Sequence, residues 1–439
     1  MARTTTSDNP PISARDLAAH TPPTRNRAVD LYRAVAMIVV ALGHWLGMVA
    51  VVRHGELDGG NLLDVAPGYG WITWIGQVMP LFFFVGGFAS ATSLRAAERS
   101  GTRPVDWVAT RLHRMVAPAA ALATFWAAAL AVGTAVGRPS IVAIGAIGAA
   151  IPLWFLANYA IDTALAPFTF RWFRARPVAF VALLAGLFAG AEACRFAGVP
   201  WIPQLNWVIG WLGFQVAGFA WQAGLLPTGR RLVGLAAGCW VAAAAAVAFG
   251  PWPAVMLHHG GLDHSPTHPP TTALVLFGLA YSFTAAALAP TVDRWLARST
   301  RAWTLTIAAN AVAMSVYLWH MTAAVIVAAG AYALGLLPSA EPATAAWWLA
   351  KLPFLAVNLL VLVPIVRRVA PIEQRALLGG AVAWRWGTPS MLATAGLLSF
   401  AVKAWSSPSA TVLVSGLLVT LAIWHLLLRP RPAGRATDG

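Results

Sequence analysis

Residues 30–45 read DLYRAVAMIVVALGHW, an apolar helical segment that holds an arginine and a histidine eleven positions apart. At about 1.5 Å of rise per residue, Arg33 and His44 are roughly 16 Å apart along the helix axis. In a membrane-spanning helix this puts Arg33 near one face and His44 near the middle of the bilayer. An ionisable residue at that depth opposes insertion unless it has a partner or faces a wet cavity, so His44 is a functional candidate.

The composition of the whole chain indicates a membrane protein. Of its 439 residues, 59% are hydrophobic and 10% are charged, and the mean hydropathy is +0.68. The apolar runs are about 20 residues long and do not alternate, which favours helices over a transmembrane β-barrel. We therefore expect an all-α, polytopic integral membrane helical bundle of about 10–12 transmembrane helices. The predicted spans are 34–52, 71–93, 115–135, 141–166, 178–193, 205–224, 232–250, 272–290, 304–328, 347–366, 389–406 and 409–428.

Basic residues are distributed unevenly about these spans. Of the 30 Lys and Arg, 25 fall on the side of the N-terminus, and the other five are Arg53, Arg138, Arg195, Lys351 and Lys403. This asymmetry follows the positive-inside rule, so we expect a multi-pass cell-membrane protein with both termini cytoplasmic. The net charge of +15 then meets anionic membrane lipids, and no nucleic-acid partner is expected.

The chain divides into three predicted segments. Residues 1–27 are polar, rich in Thr and Pro and without an apolar signal region, so we expect a disordered cytoplasmic tail. Residues 28–368 are expected to form the main transmembrane domain. Residues 369–439 are expected to add a helix pair and a short cytoplasmic tail. Cys194 and Cys239 have no CxxC spacing and are interpreted as small buried residues.

Two motifs follow the first span. PLFFFVGGFASA at 80–91 places a Gly pair where the backbone can approach another helix or a ligand closely. RLHRMVAP at 111–118 places Arg111 and Arg114 on one helix face at the cytoplasmic side. Guanidinium groups bind phosphate oxygens bidentately, so this pair is a candidate polyphosphate site. Helix packing explains the Gly pair as well, and topology or lipid headgroups explain the arginines.

Two further features supply histidines. SVYLWHM at 315–321 adds the intramembrane His320, which either belongs to a site or bridges two helices. The loop 251–272 holds four histidines and one Asp without a basic residue. Zinc accepts the side chains of His259, Asp263, His264 and His268. Their spacing matches no ligand motif, so no metal is expected. The loop either receives a polar acceptor, with Asp263 and His264 as candidate substrate-binding residues, or is a solvated linker.

The order of these motifs resembles the membrane-bound acyltransferase-3 family. Its pattern has an arginine and a histidine separated by ten residues, then an FFxxSGF segment, then an RxxR pair. The YLWH segment is also similar to a late-helix feature of the family, and the resemblance covers residues 28–368. The matching positions in this chain are Arg33 with His44, FFFVGGF at 82–88, Arg111 with Arg114, and His320.

The resemblance implies transfer of an acyl group, often acetyl, from cytoplasmic acyl-CoA to a hydroxyl of a carbohydrate or another polar acceptor. It implies His44 as the essential histidine, Arg33 as its paired arginine, and Arg111 with Arg114 as the pair that meets the CoA phosphates. We expect His320 to orient the acceptor. His44 either deprotonates the acceptor or carries the acyl group covalently. The alternative is a transporter or flippase with intramembrane Arg and His in a substrate or proton pathway.

Two positions depart from the family pattern. Gly86 stands where the family motif has a serine, and Tyr159 stands where many relatives carry the glutamate of WxLxxE. Asn158 and Asp162 lie nearby in LWFLANYAID, but at other positions. The departures leave open a different acceptor or a different division of roles among the polar residues.

Overall fold

Long apolar segments bounded by Pro, Gly and Arg form the helices of this protein. The computed structural model describes residues 14–22, 24–53, 56–260, 262, 265–338 and 340–378. The helices are Ala14–Ala19 (α1), Arg27–Gly47 (α2), Leu62–Val65 (α3), Thr73–Gly76 (α4), Met79–Arg99 (α5), Pro104–Ala135 (α6), Pro139–Ala150 (α7), Leu153–Ala175 (α8), Pro177–Phe196 (α9), Asn206–Gln222 (α10), Arg230–Phe249 (α11), Thr272–Arg298 (α12), Thr300–Ala311 (α13), Ala313–Ala333 (α14) and Ala345–Leu378 (α15). Two strands, Met48–Arg53 (β1) and Glu56–Asn61 (β2), and two 3-10 helices, Pro67–Ile72 and Ile202–Leu205, complete the described part.

Local sequence signals begin these helices. α5, α6 and α9 have a proline in the first turn, where its missing N–H is not needed for an intrahelical bond. The side chain of Asn26 accepts a hydrogen bond from the Val29 amide at 3.2 Å and begins α2. The Thr271 hydroxyl accepts from the Leu274 amide at 3.4 Å and begins α12. Capping therefore defines the start of the helix that carries the first histidine.

The bundle has the helical membrane architecture that the hydropathy predicts. In the described part of the chain, nine helical segments are long and apolar enough to cross a membrane by length and composition. α10, with 17 residues, lies at the position of a further predicted span. The all-α polytopic bundle is thus confirmed. The last two predicted spans, 389–406 and 409–428, lie outside the described residues.

The predicted span 34–52 is wrong at its C-terminal end. α2 ends at Gly47, and the following residues pair antiparallel with β2 as a two-stranded hairpin. Val49 and Val51 are buried in one cluster with Trp347. Alternating β-branched residues that bury one face favour a strand, and this pattern overrides the high hydropathy of the segment.

Two other predicted spans are interrupted. The span 141–166 is divided at Pro152 into α7 and α8, because proline has no N–H to continue the helical ladder. The carbonyl of Pro152 accepts hydrogen bonds from the Phe155 amide at 3.2 Å and from the Tyr317 hydroxyl. The span 304–328 is divided at Val312 into α13 and α14. Both interruptions lie beside the helix that carries the second histidine.

The two ends of the bundle differ in charge. The end that contains Arg33, Arg111 and Arg114 is called the arginine face. The opposite end, with the β1–β2 hairpin and segment 251–271, is called the loop face. Within the N-terminal tail that was expected to be disordered, α1 is folded: Ala18 packs with Trp303. This part of the tail therefore covers the arginine face of the bundle next to α13.

Candidate active site

α2 and α14 bring the two intramembrane histidines into contact. Nδ1 of His44 lies 2.8 Å from Nε2 of His320, and the stacked rings have centroids 5.0 Å apart. His320 is fully buried, whereas His44 is partly exposed. One histidine therefore lies inside the packed helices and the other presents its ring to accessible space.

The hydrogen-bond network assigns the tautomer of the neutral pair. Nδ1 of His320 lies 2.7 Å from the carbonyl oxygen of Tyr317, which can only accept, so this nitrogen carries the proton. Nε2 of His320 is then an acceptor, and Nδ1 of His44 must donate to it. This arrangement leaves Nε2 of His44 with a free lone pair. In this arrangement the unprotonated Nε2 of His44 can accept a proton, and the bond to His320 fixes the orientation of the His44 ring.

Neighbouring side chains hold the pair in place. Nε1 of Trp45 donates to the carbonyl of His320 at 2.9 Å. The ammonium of Lys351 donates to the Trp45 carbonyl at 3.2 Å and also to the Met48 carbonyl. Lys351 is only 7% exposed and lies over the Trp347 ring. The sequence predicted Lys351 at the outer side of the membrane but did not predict its contact with α2. A lysine inside an apolar helix was the signal that could have identified it.

Three arginines form a cluster at the arginine face. Nη2 of Arg111 donates to the Ser93 hydroxyl at 2.6 Å, and its guanidinium lies over the Trp107 ring, 5.0 Å from the centroid. The charges of Arg33 and Arg114 both act on Arg111. Nε of Arg114 is buried and makes no hydrogen bond within the described part of the chain, while Arg33 is exposed. The three guanidinium groups can therefore converge on an anion.

A carboxylate near this cluster is already engaged. Glu373 interacts electrostatically with Arg33. Its oxygens accept hydrogen bonds from the amides of Met314 and Ser315 at 3.1 and 2.9 Å, and from the Ser315 hydroxyl at 2.6 Å. Glu373 thus caps the first turn of α14, where a negative charge is favourable. One bonded carboxylate leaves the cluster with a surplus of positive charge, which suits phosphate groups.

The histidine pair and the arginine cluster lie at different depths. Arg33 and His44 are eleven residues apart on α2, about 16 Å along its axis. Arg111 precedes Trp126 by fifteen residues on α6, about 22 Å. The Trp126 indole donates to the Thr322 hydroxyl at 3.1 Å, two residues beyond the second histidine on α14. A molecule that reaches both groups must therefore be elongated.

The two glycines of the second-span motif have different roles. A Cβ atom on Gly87 would collide with the backbone of Gln215, so this glycine allows α5 and α10 to cross closely. A Cβ atom on Gly86 would lie 2.9 Å from the ring of Tyr159. Helix packing, one of the two explanations for the Gly pair, therefore accounts for Gly87. Gly86 instead lies beside Tyr159, the second residue at which the chain departs from the family pattern.

The histidines of the loop face are grouped with aromatic rings. His268 lies 4.7 Å from the ring centroid of Trp207, 5.7 Å from that of Trp154 and 4.7 Å from that of His258. Burial, and then the neighbouring His258, lowers the pKa of His268 to about 3. Burial also lowers the pKa of His258. At neutral pH this part of the loop is therefore uncharged and aromatic.

Another histidine of the loop face is bonded to a neighbouring helix. His259 Nδ1 lies 2.9 Å from Oδ1 of Asp64, which ties the loop to α3. Asp263 and His264 lie outside the described residues, so their substrate-binding role stays a prediction. Within the ranges that the structure covers, no group of three His, Cys, Asp or Glu is placed to hold a metal ion.

The fold and site define a multi-pass helical membrane protein with a buried histidine pair and a separate cationic cluster. Residues 26–367 match the acyltransferase-3 family, described as an acyltransferase domain, so the chain belongs to this family. No curated protein and no solved structure matches the chain. The protein is therefore a membrane acyltransferase.

Proposed function

We propose that this acyltransferase moves an acyl group, with acetyl the expected one, from acyl-CoA to a hydroxyl of a carbohydrate or another polar acceptor. The observation that carries the proposal is the histidine pair, which leaves Nε2 of His44 unprotonated beside accessible space. The cationic cluster includes Arg33, which lies about 16 Å from His44 along α2. This separation supports a donor that has phosphates at one end and its reactive group at the other.

The arginine cluster is the proposed binding site for the phosphates of acyl-CoA. Arg33 and Arg114 have donors that no described residue uses, and Arg111 is held in place by Ser93 and Trp107. Guanidinium groups bind phosphate oxygens through paired N–H donors. The pantetheine arm would then run between the helices toward His44 and deliver the thioester carbon there.

The proposed reaction is a direct transfer. Nε2 of His44 takes the proton of the acceptor hydroxyl, and the oxygen attacks the thioester carbonyl carbon. The C–O bond forms, the C–S bond breaks, and the CoA thiolate leaves with the proton from Nε2 of His44. His320 keeps the ring of His44 oriented and stabilises its protonated form, because Nε2 of His320 accepts the Nδ1 proton throughout.

A covalent route uses the same atoms. Nε2 of His44 would attack the thioester, form an acyl-imidazole and release CoA before the acceptor arrives. The two routes differ in one observable. A protein given acetyl-CoA without acceptor would accumulate acetyl-His44 only on the covalent route, and intact-protein and peptide mass spectrometry detects it.

The positive-inside distribution of arginines supports a cytoplasmic arginine face. Acyl-CoA would then enter from the cytoplasm. The acceptor would approach from the loop face, where Asp263 and His264 are the proposed ligands. The acyl group would cross part of the membrane on the donor arm, because the donor and acceptor enter from opposite ends.

The test measures free CoA released from acetyl-CoA by the purified protein, with pooled cell-envelope glycans and small glycosides as acceptors. We expect release by the wild type and a near-complete loss in His44→Ala. A variant with both Arg111→Ala and Arg114→Ala should have a much higher KM for acetyl-CoA. Arg174→Ala is the matched control, since Arg174 bonds Glu98 at the surface. A folded wild type that releases no CoA with several acyl lengths and acceptors would overturn the proposal.

A further inference from the structure

Tyr159 and Gly86 occupy adjoining space between α8 and α5. A Cβ atom on Gly86 would lie 2.9 Å from Cε2 and 3.1 Å from Oη of Tyr159. Side chains in a close-packed interior do not tolerate such distances without a shift. The Tyr159 ring thus fills the volume that a side chain at Gly86 would need. The two positions are complementary in shape.

Three phenylalanines hold the Tyr159 ring. Its centroid is 5.4 Å from that of Phe82, 5.9 Å from that of Phe83 and 5.7 Å from that of Phe155. Phe155 stacks on the tyrosine, and the other two rings meet it edge-on. The direction of the phenol hydroxyl is therefore set by packing.

The hydroxyl itself has no internal partner. Tyr159 is partly exposed, and no residue in the described ranges forms a hydrogen bond with its Oη. Tyrosine hydroxyls within aromatic clusters normally have a partner. Tyr159 is one of the groups that act electrostatically on Arg111, so the phenol lies within electrostatic reach of the arginine cluster. The hydroxyl is therefore available to a ligand that binds there.

Tyr159 lies at a depth between the two functional groups. The carbonyl of Pro152 accepts a hydrogen bond from the hydroxyl of Tyr317, and Tyr317 lies about one turn before His320 on α14. Tyr159 follows Pro152 by seven residues, about 10 Å along α8. The helix then continues to Arg174, which bonds Glu98 at 2.6 Å on the arginine face. An elongated ligand that extends from the arginine cluster to the histidine pair would therefore pass the depth of Tyr159.

We infer that the Tyr159 hydroxyl binds the pantetheine arm of the donor by donating a hydrogen bond to one of its amide oxygens. The inference rests on the proposed function and extends it to a donor-binding residue. The pantetheine arm has amide oxygens between the phosphates and the thioester. The Tyr159 hydroxyl is a hydrogen-bond donor held between the arginine cluster, which would bind the phosphates, and His44, which would meet the thioester. Gly86 leaves the space that the phenol needs.

The test compares two donors, acetyl-CoA and S-acetylpantetheine, which keeps the amides but lacks the phosphates. Tyr159→Phe removes only the hydroxyl. We expect it to raise KM for both donors about three- to tenfold, the usual effect of one hydrogen bond. Arg111→Ala should raise KM for acetyl-CoA alone. Tyr281→Phe, whose hydroxyl bonds the Ile75 carbonyl instead, is the matched control.

A second variant tests the shape relationship. Gly86→Ala should push the phenol away and raise the donor KM as Tyr159→Phe does, and the double variant should be no worse than either single one, because both act through the same hydroxyl. Gly213→Ala is its control, since a Cβ atom at that helical glycine would meet nothing within 4 Å.

The outcomes separate this inference from the proposed function. A wild type that transfers acetyl from acetyl-CoA, with an unchanged donor KM in Tyr159→Phe, overturns the inference and leaves the proposed function intact. A rise confined to the KM of the acceptor also overturns it, since the phenol would then serve the acceptor. A wild type without any transfer from either donor overturns the proposed function itself.

Discussion

The ammonium group of Lys351 donates a hydrogen bond to the carbonyl of Trp45 at 3.2 Å, one residue beyond His44. α2 ends at Gly47, so its last carbonyls have no intrahelical partner. A cation at this end satisfies them and is favoured by the helix dipole. The base of the proposed reaction is therefore positioned by a residue on the last described helix of the chain.

Lys351→Met should lower kcat and destabilise the protein. The substitution keeps the length of the side chain but leaves two carbonyls unsatisfied, at a cost of about 1.5–3 kcal/mol. We expect a clear fall in the thermal unfolding midpoint in detergent and a roughly tenfold fall in kcat, with the donor KM unchanged. Lys351→Arg, which retains the charge, should recover part of both. An unchanged kcat in Lys351→Met would contradict a positioning role.

His320→Ala should lower kcat by about 10²-fold, because His44 loses the acceptor that fixes its tautomer. His320→Gln should retain more activity, since its amide oxygen can accept the Nδ1 proton of His44. The readout is the rate of CoA release at saturating donor. His20→Ala, which alters an exposed histidine in the N-terminal segment, is the control. Equal losses in His320→Ala and His320→Gln would argue against orientation by this hydrogen bond.

Arg33→Ala should weaken donor binding without loss of stability. Arg33 is exposed and makes no hydrogen bond within the described part of the chain, yet its charge acts on Arg111. We expect the KM for acetyl-CoA to rise about tenfold, and the rise to shrink with added salt. The unfolding midpoint should not change. If Arg33→Ala raised the KM for S-acetylpantetheine as much as the KM for acetyl-CoA, Arg33 would not bind the phosphates.

The loop face should lose stability in mild acid. Burial, and then His258, lowers the pKa of His268 to about 3, whereas an unfolded histidine has a pKa of about 6.5. Below about pH 6.5 the unfolded chain binds a proton that the folded loop excludes. The stability that neutral His268 contributes to the folded protein is therefore fully present above about pH 6.5 and is lost as the pH drops toward 3. Between pH 7 and pH 5 the free energy of unfolding should fall by about 1–2 kcal/mol.

The measurement for this effect is the unfolding midpoint at pH 7 and pH 5. The wild type should lose more stability between the two than His268→Phe, which removes the titrating ring while keeping an aromatic side chain between Trp154 and Trp207. Identical pH dependence in the two proteins would show that His268 does not contribute. Activity is not needed for this readout, so the result is independent of the proposed reaction.

The helical class and the candidate residues of α2, α6 and α14 could be predicted from the sequence. Apolar runs long enough to span a bilayer are local features of composition, and an ionisable residue within such a run is visible without a structure. Arg33, His44 and His320 were all found in this way. The outer loop residues Asp263 and His264 stay predictions.

The element ends could not be predicted, because tertiary contacts set them. The β1–β2 hairpin replaces the end of a predicted span, since Val49 and Val51 pack against Trp347 far along the chain. The break before α14 is capped by Glu373, which lies more than fifty residues away. Hydropathy averages over a window and carries no information on such partners.

The sequence by itself determined that this is a helical membrane protein with a basic face and intramembrane histidines, because hydropathy and charge act on each segment alone. Only the tertiary structure decided that His44 and His320 share a hydrogen bond, that Lys351 and Glu373 hold the two helices involved, and that Tyr159 fills the space beside Gly86. Each of these relationships joins residues far apart in the chain. Their formation depends on how whole helices pack, which local patterns do not specify.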